Sequence, residues 1–249
     1  MLTFIVSLDD GVEAAGTAED LSAARPNPVI LGGLHLRATH VRQRSDQAGV
    51  QLAVHPLASR ALFGVPSAEL SVTDFDGAAV LGRRAIELHA RVAEADGWQG
   101  VFVEVGEHLR ESRRKRAPEG VRPEVAYAWH VLERSQGRYP VGALSDRVGV
   151  SCRHLTTLFR REVGRTPKTV SMLMQFQHAV ARIGQSARRH GTVDFAAVAA
   201  ETGYFDQAHL SREFVRFAGV PPRAWLAEEF QNIRDGGHSL GGAPDDIAW

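Results

Sequence analysis

Hydrophobic residues follow different patterns in the two halves of the chain. In the first part, short β-prone runs interrupted by glycine predict strands at Phe4–Leu8, Val29–Leu31, Gly33–Gln43 and Gly49–Val54. A short helix is predicted next, at Pro56–Phe63. The chain is therefore expected to begin with a small β region.

Two longer helical patterns follow this β region. The first covers Gly77–Ala95, with hydrophobic residues at Leu81, Ile86, Leu88, Val92 and Ala95. The second covers Gly97–Arg114, with four-residue steps between Val101, Val105 and Leu109. Two consecutive helices joined at a glycine predict a hairpin that either covers the β region or forms a dimer surface.

After residue 123 the pattern is almost entirely helical. Glu124–Gln136 carries Val125, Trp129 and Leu132 on one stripe, which is the spacing of a packed helix. Short helices then alternate with glycine-containing turns up to about Phe230. The terminal GGHSLGGAPDDIAW is rich in Gly, Pro and Asp, and it is predicted to be disordered.

The helical half contains an internal repeat, with one copy at residues 143–167 and the other at 197–222. Gly149 matches Gly203. After one inserted residue in the second copy, the matching pairs are His154 and His209, Leu155 and Leu210, Phe159 and Phe214, Gly164 and Gly219, and Pro167 and Pro222. Each copy has the order helix, turn, helix that defines a helix-turn-helix unit.

Local chemistry supports this assignment. Gly149 suits a left-handed turn, and Ser151 and Asp206 are predicted N-caps of the second helix in each copy. The predicted buried stripes are Leu155, Leu158 and Phe159 in the first copy and Leu210, Phe214 and Phe217 in the second. The opposite faces carry Arg, Gln, Ser and Thr, the side chains that contact base edges and phosphates.

A long helix is predicted between the two copies. It extends from Thr166 to about Ala187, with Pro167 at a first-turn position where its missing N–H costs nothing. Its length is roughly 33 Å at 1.5 Å per residue. That length is close to the roughly 34 Å between successive major-groove faces of B-DNA, so one chain is expected to place two recognition helices in adjacent grooves.

The charge distribution adds to this picture only when it is divided by region. The 249 residues include 29 Lys and Arg and 29 Asp and Glu, for a net charge of zero. Residues 1–109 carry 8 basic and 14 acidic residues, a net −6, whereas residues 110–234 carry 21 and 12, a net +9. An acidic part joined to a basic part favours a nucleic-acid-binding module attached to another domain.

The charged segment 110–123, which ends in Pro and Gly, is predicted to be an exposed linker. The predicted domains are therefore 1–116 and 117–234, followed by a disordered tail at 235–249. The basic run Arg113–Arg116 is interpreted either as a DNA-contacting arm or as the solvated end of a helix.

A single cysteine, Cys152, excludes an intrachain disulfide and favours a reducing, cytoplasmic environment. It is interpreted either as an inert small residue or as a redox switch. No apolar run reaches the roughly 18 residues of a membrane span, and MLTFIVSLDD is not a secretory signal. No membrane partner is expected.

Catalytic motifs are absent from the sequence. His35 and His40 fall on a predicted strand at positions that face opposite sides, without a third ligand at a familiar spacing. There is no GxSxG motif, phosphate-binding glycine loop or paired zinc-type cysteine motif. We therefore expect no metal, no cofactor and no enzymatic activity. The alternative is a small-molecule-binding or metal-dependent β-barrel enzyme with an accessory helical half.

The second repeat carries a specific resemblance. GYFDQAHLSREFVRFAGVPPRAW, at 203–225, resembles the signature segment of the AraC/XylS family of bacterial transcription regulators. GVSCRHLTTLFRREVGRTP in the first repeat resembles that family's first helix-turn-helix. The resemblance covers about residues 124–230 and implies an all-α, two-lobed, double helix-turn-helix DNA-binding domain.

The N-terminal part, through GVQLAVHPLASRALFGVPSAEL at 49–70, is similar to the sensor region of a subgroup of these regulators. That similarity implies a small cupin-like β-barrel with a helical hairpin, used for effector binding, dimerisation or both. Only about 55 residues precede the first helix, which is short for a complete ligand-binding barrel, so both a complete and an incomplete barrel stay open. The predicted fold class is α+β.

The family pattern implies which residues contact DNA. Those implied to contact bases are Arg153, Thr156, Thr157, Gln207, Ala208, Ser211 and Arg212. The expected phosphate contacts are Ser151, Arg160, Arg161, His209 and Arg216. Ala208 departs from a polar residue at its position, and a thymine methyl group is its natural contact.

The leading hypothesis is a sequence-specific DNA-binding transcription regulator whose N-terminal domain senses a small effector, dimerises, or does both. The alternative within the same class is an effector-independent regulator whose N-terminal domain makes protein contacts. Double-stranded DNA is the expected partner, and RNA polymerase, a small effector and a second copy of the chain are further candidates.

Overall fold

The computed structural model describes residues 1–42, 44, 47–115 and 120–234, and for residues 115 and 230–234 it describes the backbone alone. The N-terminal strands are β1 (Leu2–Ser7), β2 (Ala14–Ala15), β3 (Val29–Gly32), β4 (His40–Val41) and β5 (Gly49–Val54). They form an antiparallel three-stranded sheet in the order β3-β1-β5 and a separate β2-β4 pair. These strands are the small β region that the sequence predicts.

Helices cover the three-stranded sheet. The N-terminal helices are α1 (Ser59–Phe63), α2 (Gly77–Leu81), α3 (Arg83–Glu94) and α4 (Gly97–Lys115). Leu2, Phe4 and Val6 alternate along β1 and are buried, and the ring of Phe4 lies 5.4 Å from that of Phe63 on α1. Helix α3 packs on β1 and β3 and pairs with α4, so the predicted hairpin is confirmed and one of its helices covers the sheet.

Two predictions in this region are wrong. Gly33–Gln43 is not a continuous strand, because only His40 and Val41 pair as β4, and Gln43 lies outside the described residues. At Gly33 the backbone N–H donates to the carbonyl of Ser71, and an added Cβ would lie 2.6 Å from the carbonyl oxygen of Leu70. This close approach turns the chain out of the sheet, so His35 does not lie on a strand.

The helix predicted at Gly77–Ala95 is divided in two. Gly82 has φ +60°, a positive-φ conformation that glycine adopts readily, and it ends α2 and allows α3 to begin at Arg83. The register changes there. Ile86, which the single-helix pattern placed on the buried stripe, is 65% exposed.

The C-terminal helices are α5 (Pro123–Arg134), α6 (Val141–Val148), α7 (Cys152–Val163), α8 (Pro167–His190), α9 (Phe195–Thr202), α10 (Gln207–Ala218) and α11 (Pro222–Arg234). The predicted helices at 124–136 and 166–187 are confirmed, with α8 ending three residues later than expected. The boundary predicted between residues 116 and 117 and the predicted tail at 235–249 lie outside the described residues.

The chain divides into two compact units. The first contains residues 1–126 and 153–166, and the second contains residues 127–152 and the chain from 167 onward. Almost all of α7 therefore belongs to the N-terminal unit, although it follows α6 directly in the sequence. Helices α6, α8, α9, α10 and α11 belong to the other unit.

The second unit has an aromatic core around α8. The ring of Phe176 lies 4.9 Å from Phe214 and 5.1 Å from Phe217, and Trp225 on α11 lies 5.9 Å from Phe214. Ile183 on α8 is fully buried in the same cluster. This core holds α9 and α10 as one helix-turn-helix against α8.

Left-handed glycines end the first helix of each repeat. Gly149 follows α6 with φ +79°, and Gly203 follows α9 with φ +81°. The predicted left-handed turn at Gly149 is confirmed. An added Cβ at Gly149 would meet no atom within 4 Å, so its backbone angle alone requires glycine.

Two substitutions distinguish the effect of the backbone angle at Gly149 from the effect of adding a methyl group in open space. Gly149→Ala should lower the free energy of unfolding by about 1 kcal/mol, because L-residues resist the left-handed region. Gly142→Ala, inside α6 and also in open space, should raise it by about 0.5 kcal/mol. Urea unfolding of both variants measures the difference, and equal effects would contradict the role given to the angle.

Candidate nucleic-acid interface

Helix α10, the second recognition helix, begins at a well-formed cap. The Asp206 side chain accepts a hydrogen bond from the backbone N–H of His209 at 2.6 Å. This confirms Asp206 as the N-cap and fixes the first turn, whose free N–H groups would otherwise lack partners. The helix start is therefore rigid at the end where base contacts are expected.

The two faces of α10 differ as predicted. Leu210, Phe214 and Phe217 are buried, and the first two belong to the aromatic core. On the opposite face, the exposed predicted contacts are Gln207, Ala208, Arg212 and Arg216, and the half-buried ones are His209 and Ser211. The structure thus brings the predicted contacts of the second repeat together on one helix.

Two of these residues also make contacts within the protein. The Nδ1 atom of His209 accepts from the backbone N–H of Phe205 at 3.4 Å, and its ring packs edge-on against Tyr204 at 5.2 Å. An accepting Nδ1 places the proton of the neutral ring on Nε2, the atom free to donate to a phosphate. Arg216 lies 3.5 Å from the Glu213 carboxylate and 5.4 Å from the centroid of the Phe217 ring.

Helix α7 presents the contacts predicted for the first repeat. The exposed ones are Ser151, which precedes the helix, and Arg153, Thr157, Arg160 and Arg161, while Thr156 is half-buried. The Thr157 hydroxyl donates to the carbonyl of Arg153 at 3.0 Å, so its oxygen remains available as an acceptor. The Cys152 Sγ lies 2.8 Å from the Ser145 Oγ on α6.

The buried side of α7 contains a residue that sequence reasoning missed. Glu162 is 6% exposed, and its two carboxylate oxygens accept from the Nε of Arg60 on α1 at 3.0 and 2.9 Å. A signal for it exists in the sequence, because Glu162 lies seven residues after Leu155, on the apolar stripe of the helix. A charged residue on that stripe requires a buried partner.

Further contacts fix the end of α7 to the N-terminal elements. Ser67 donates to the carbonyl of Glu162 at 3.1 Å. Arg165 donates twice to the carbonyl of Leu34, from Nε at 3.2 Å and Nη2 at 3.0 Å. These residues are distant in sequence, and none of them was predicted to have a role.

Arg165 also lines a pocket in the N-terminal unit. The pocket has a volume of about 590 Å³, and its wall combines small residues such as Ala15 and Ala24 with Arg37 and His35. Burial, together with the nearby charge of Arg165, holds the pKa of His35 below its usual value. The charged residues of the lining are thus two arginines and Asp20, beside a histidine whose neutral form is favoured.

Among the residues that the structure describes, no cluster of three or more His, Cys, Asp or Glu side chains is arranged to hold a metal ion. Within the same ranges, no helix combines the length and the apolar character needed to cross a membrane.

Sequence comparison agrees with this geometry. Residues 144–228 match the family described as helix-turn-helix domain. Over 89 residues the chain is 30% identical to the HTH-type transcriptional regulator Rv1931c of Mycobacterium tuberculosis, and this alignment covers 36% of the chain and 32% of the relative. The chain thus spans about a third of the length of the curated relative that it matches.

Structure comparison extends the likeness to the whole fold. Two crystal structures of ToxT from Vibrio cholerae each superpose with a TM-score of 0.51, at 11% and 9% identity. Each alignment covers 91% of this chain, with 88% and 89% of the ToxT chains. The predicted α+β fold is confirmed, and so is the resemblance that the repeats predict: residues 144–228 form a helix-turn-helix domain of the AraC/XylS type.

Proposed function

We propose that the chain is a sequence-specific DNA-binding transcription regulator, and not an enzyme, in which α7 and α10 enter successive major grooves. The observation that carries this proposal is the capped first turn of α10, with Gln207, Ala208 and Arg212 exposed above a buried aromatic stripe. Side chains on the first turns of a recognition helix contact base edges in helix-turn-helix proteins.

The length of α8 supports the same function. Its 24 residues correspond to roughly 36 Å, close to the roughly 34 Å between successive major-groove faces on one side of B-DNA. Charge supports it as well, since residues 110–234 carry a net +9 and residues 1–109 a net −6. DNA attracts the basic residues 110–234 and repels the acidic residues 1–109, and this difference orients the chain on the duplex.

The DNA contacts can be tested residue by residue on a duplex selected from a random pool. Arg212→Ala should weaken binding by about 1–3 kcal/mol and relax the preference at one base pair. Arg161→Ala should weaken binding to all sequences alike. It should also reduce the slope of log affinity against log salt concentration by about 1, the value expected for the loss of one phosphate contact. Gel-shift titrations over a salt series measure both effects.

Arg188→Ala is the matched control, because Arg188 is exposed at the end of α8 and lies on neither recognition helix. Its affinity should stay close to that of the unmodified chain. Selection that recovers no preferred sequence, with no salt dependence of binding, would sink the proposed function.

The N-terminal unit is proposed to sense a small effector. The pocket of about 590 Å³ is of the size that ligand sites occupy, and its wall combines small apolar residues with threonine hydroxyls and charged groups. Its two arginines, Arg37 and Arg165, outnumber its one carboxylate, Asp20, so the pocket favours anionic ligands such as carboxylates. Because Arg165 follows α7 by two residues, a ligand in the pocket would lie next to the end of a recognition helix.

A substitution that fills the pocket tests whether it binds a small effector. In thermal-shift screening of small metabolites, the unmodified chain should be stabilised by an anionic subset, whereas Ala24→Trp should lose the response because its ring fills the half-buried pocket wall. Ala90→Trp, at an exposed site on α3, should retain it. Equal responses from both variants would place the ligand elsewhere.

A protein-contact role is the second candidate for the N-terminal unit. Trp98 and Phe102 on α4 are 52% and 56% exposed, with their ring centroids 6.1 Å apart. Paired exposed aromatics of this kind mark protein contacts, and a second copy of the chain is the simplest partner. A chain that responds to no metabolite would favour this role, with regulation through dimerisation or RNA polymerase in the cytoplasm.

A further inference from the structure

Phe205 is the most exposed of the large hydrophobic side chains that the structure describes. Its exposed fraction is 92%, compared with 65% for Ile86, the next highest. Single exposed hydrophobic residues are ordinary on protein surfaces, but Phe205 has one of the largest apolar side chains and buries almost none of it. Its position next to the recognition helix suggests what the ring contacts.

The backbone around Phe205 is held on both sides. Its N–H donates to the His209 Nδ1, and the next residue, Asp206, caps α10. The preceding residue, Tyr204, is 5% exposed and belongs to the aromatic core. The ring of Phe205 is therefore presented from a fixed backbone, directly before the first turn of the recognition helix.

Comparison of the two repeats isolates this residue. Aligning Gly149 with Gly203 and His154 with His209 leaves one extra residue in the second copy, between Gly203 and the N-cap. With Tyr204 aligned to Val150, that extra residue is Phe205. In the same alignment Arg153 of the first copy corresponds to Ala208 of the second.

The two recognition helices therefore offer different chemistry at their beginnings. Helix α7 presents the Arg153 guanidinium, whereas the second copy has Phe205 just before the N-cap of α10 and Ala208 in its first turn, and all three residues are exposed. In the major groove, guanine offers two acceptors that suit arginine, whereas thymine offers a C5-methyl group, the apolar contact available on a base edge.

We propose that Phe205, together with Ala208, packs against a thymine C5-methyl group, so that α10 specifies thymine at the position where α7 specifies guanine through Arg153. This inference rests on the proposed DNA-binding function and deepens it. It assigns unlike half-sites to one chain, a guanine-containing element for the first repeat and a thymine-containing element for the second.

The test combines Phe205→Ala with replacement of thymine by deoxyuracil, which removes the C5-methyl group and leaves base pairing intact. On the selected duplex, Phe205→Ala should lower affinity about tenfold. Replacing each thymine of the second half-site in turn should lower the affinity of the unmodified chain about fourfold at one or two positions, the value of one buried methyl group. In Phe205→Ala that response should be clearly smaller, because only the Ala208 contact remains.

Two controls accompany this cycle. Ile86→Ala, at an exposed site on α3, should bind as the unmodified chain does. The thermal unfolding of Phe205→Ala should be unchanged, because so exposed a ring adds little to the folded state.

The outcomes separate this inference from the function on which it rests. If a preferred duplex is selected but Phe205→Ala binds it normally, or responds to deoxyuracil as the unmodified chain does, the thymine contact is refuted and the DNA-binding function stands. A variant that keeps its affinity but no longer supports transcription by RNA polymerase would assign Phe205 to a protein partner and overturn the proposal. If no preferred duplex is found, the proposed function itself fails.

Discussion

The ion pair between Glu162 and Arg60 decides where the first recognition helix belongs. Glu162 lies on the apolar side of α7 at 6% exposure, and a carboxylate so buried must be paired. Arg60, 102 residues earlier in the sequence, supplies the partner at 2.9–3.0 Å. Because desolvation of the two charges offsets much of their attraction, the pair determines what α7 packs against more than it adds to the free energy of unfolding.

This pairing gives two similar sequences different surroundings. The two repeats share their turn glycines and their buried stripes, yet α7 belongs to the N-terminal unit and α10 to the unit built around α8. The aromatic core at Phe176 and Phe214 holds α10, whereas Glu162 and the neighbouring Arg165 connect α7 to N-terminal residues. If the N-terminal unit binds the proposed effector, the ligand would lie in the same unit as α7.

Local features of the fold were predictable from the sequence. The turn at Gly149, the cap at Asp206 and the stripe of Leu210 and Phe214 each depend on residues a few positions apart, and each is confirmed. Predictions from periodicity alone failed where a glycine interrupts it, as at Gly82. Periodicity shows which residues would share a face if the helix were continuous. A glycine with positive φ ends the helix, and the next helix begins in a different register.

Long-range contacts were not predictable in this way. The partners Glu162 and Arg60, and likewise Arg165 and Leu34, are separated by more than 100 residues, and no local pattern specifies which arginine approaches which acceptor. The acidic residue on an apolar stripe did indicate that a partner was needed. The exposure of Phe205 was not predictable either. The sequence shows it as an inserted residue, but only the structure shows that its ring lies in solvent.

Hydrogen–deuterium exchange of the full chain, with and without Arg60→Ala, tests most directly the claim that the N-terminal unit holds α7. Loss of the partner leaves the Glu162 carboxylate buried and unpaired, at a cost of roughly 3 kcal/mol, so amides of α7 should exchange on the order of 100-fold faster. Amides of α10 should be unchanged, as should both helices in Arg42→Ala, which removes a surface ion pair with Glu13. Unchanged exchange in α7, or equal acceleration in α7 and α10, would contradict this account.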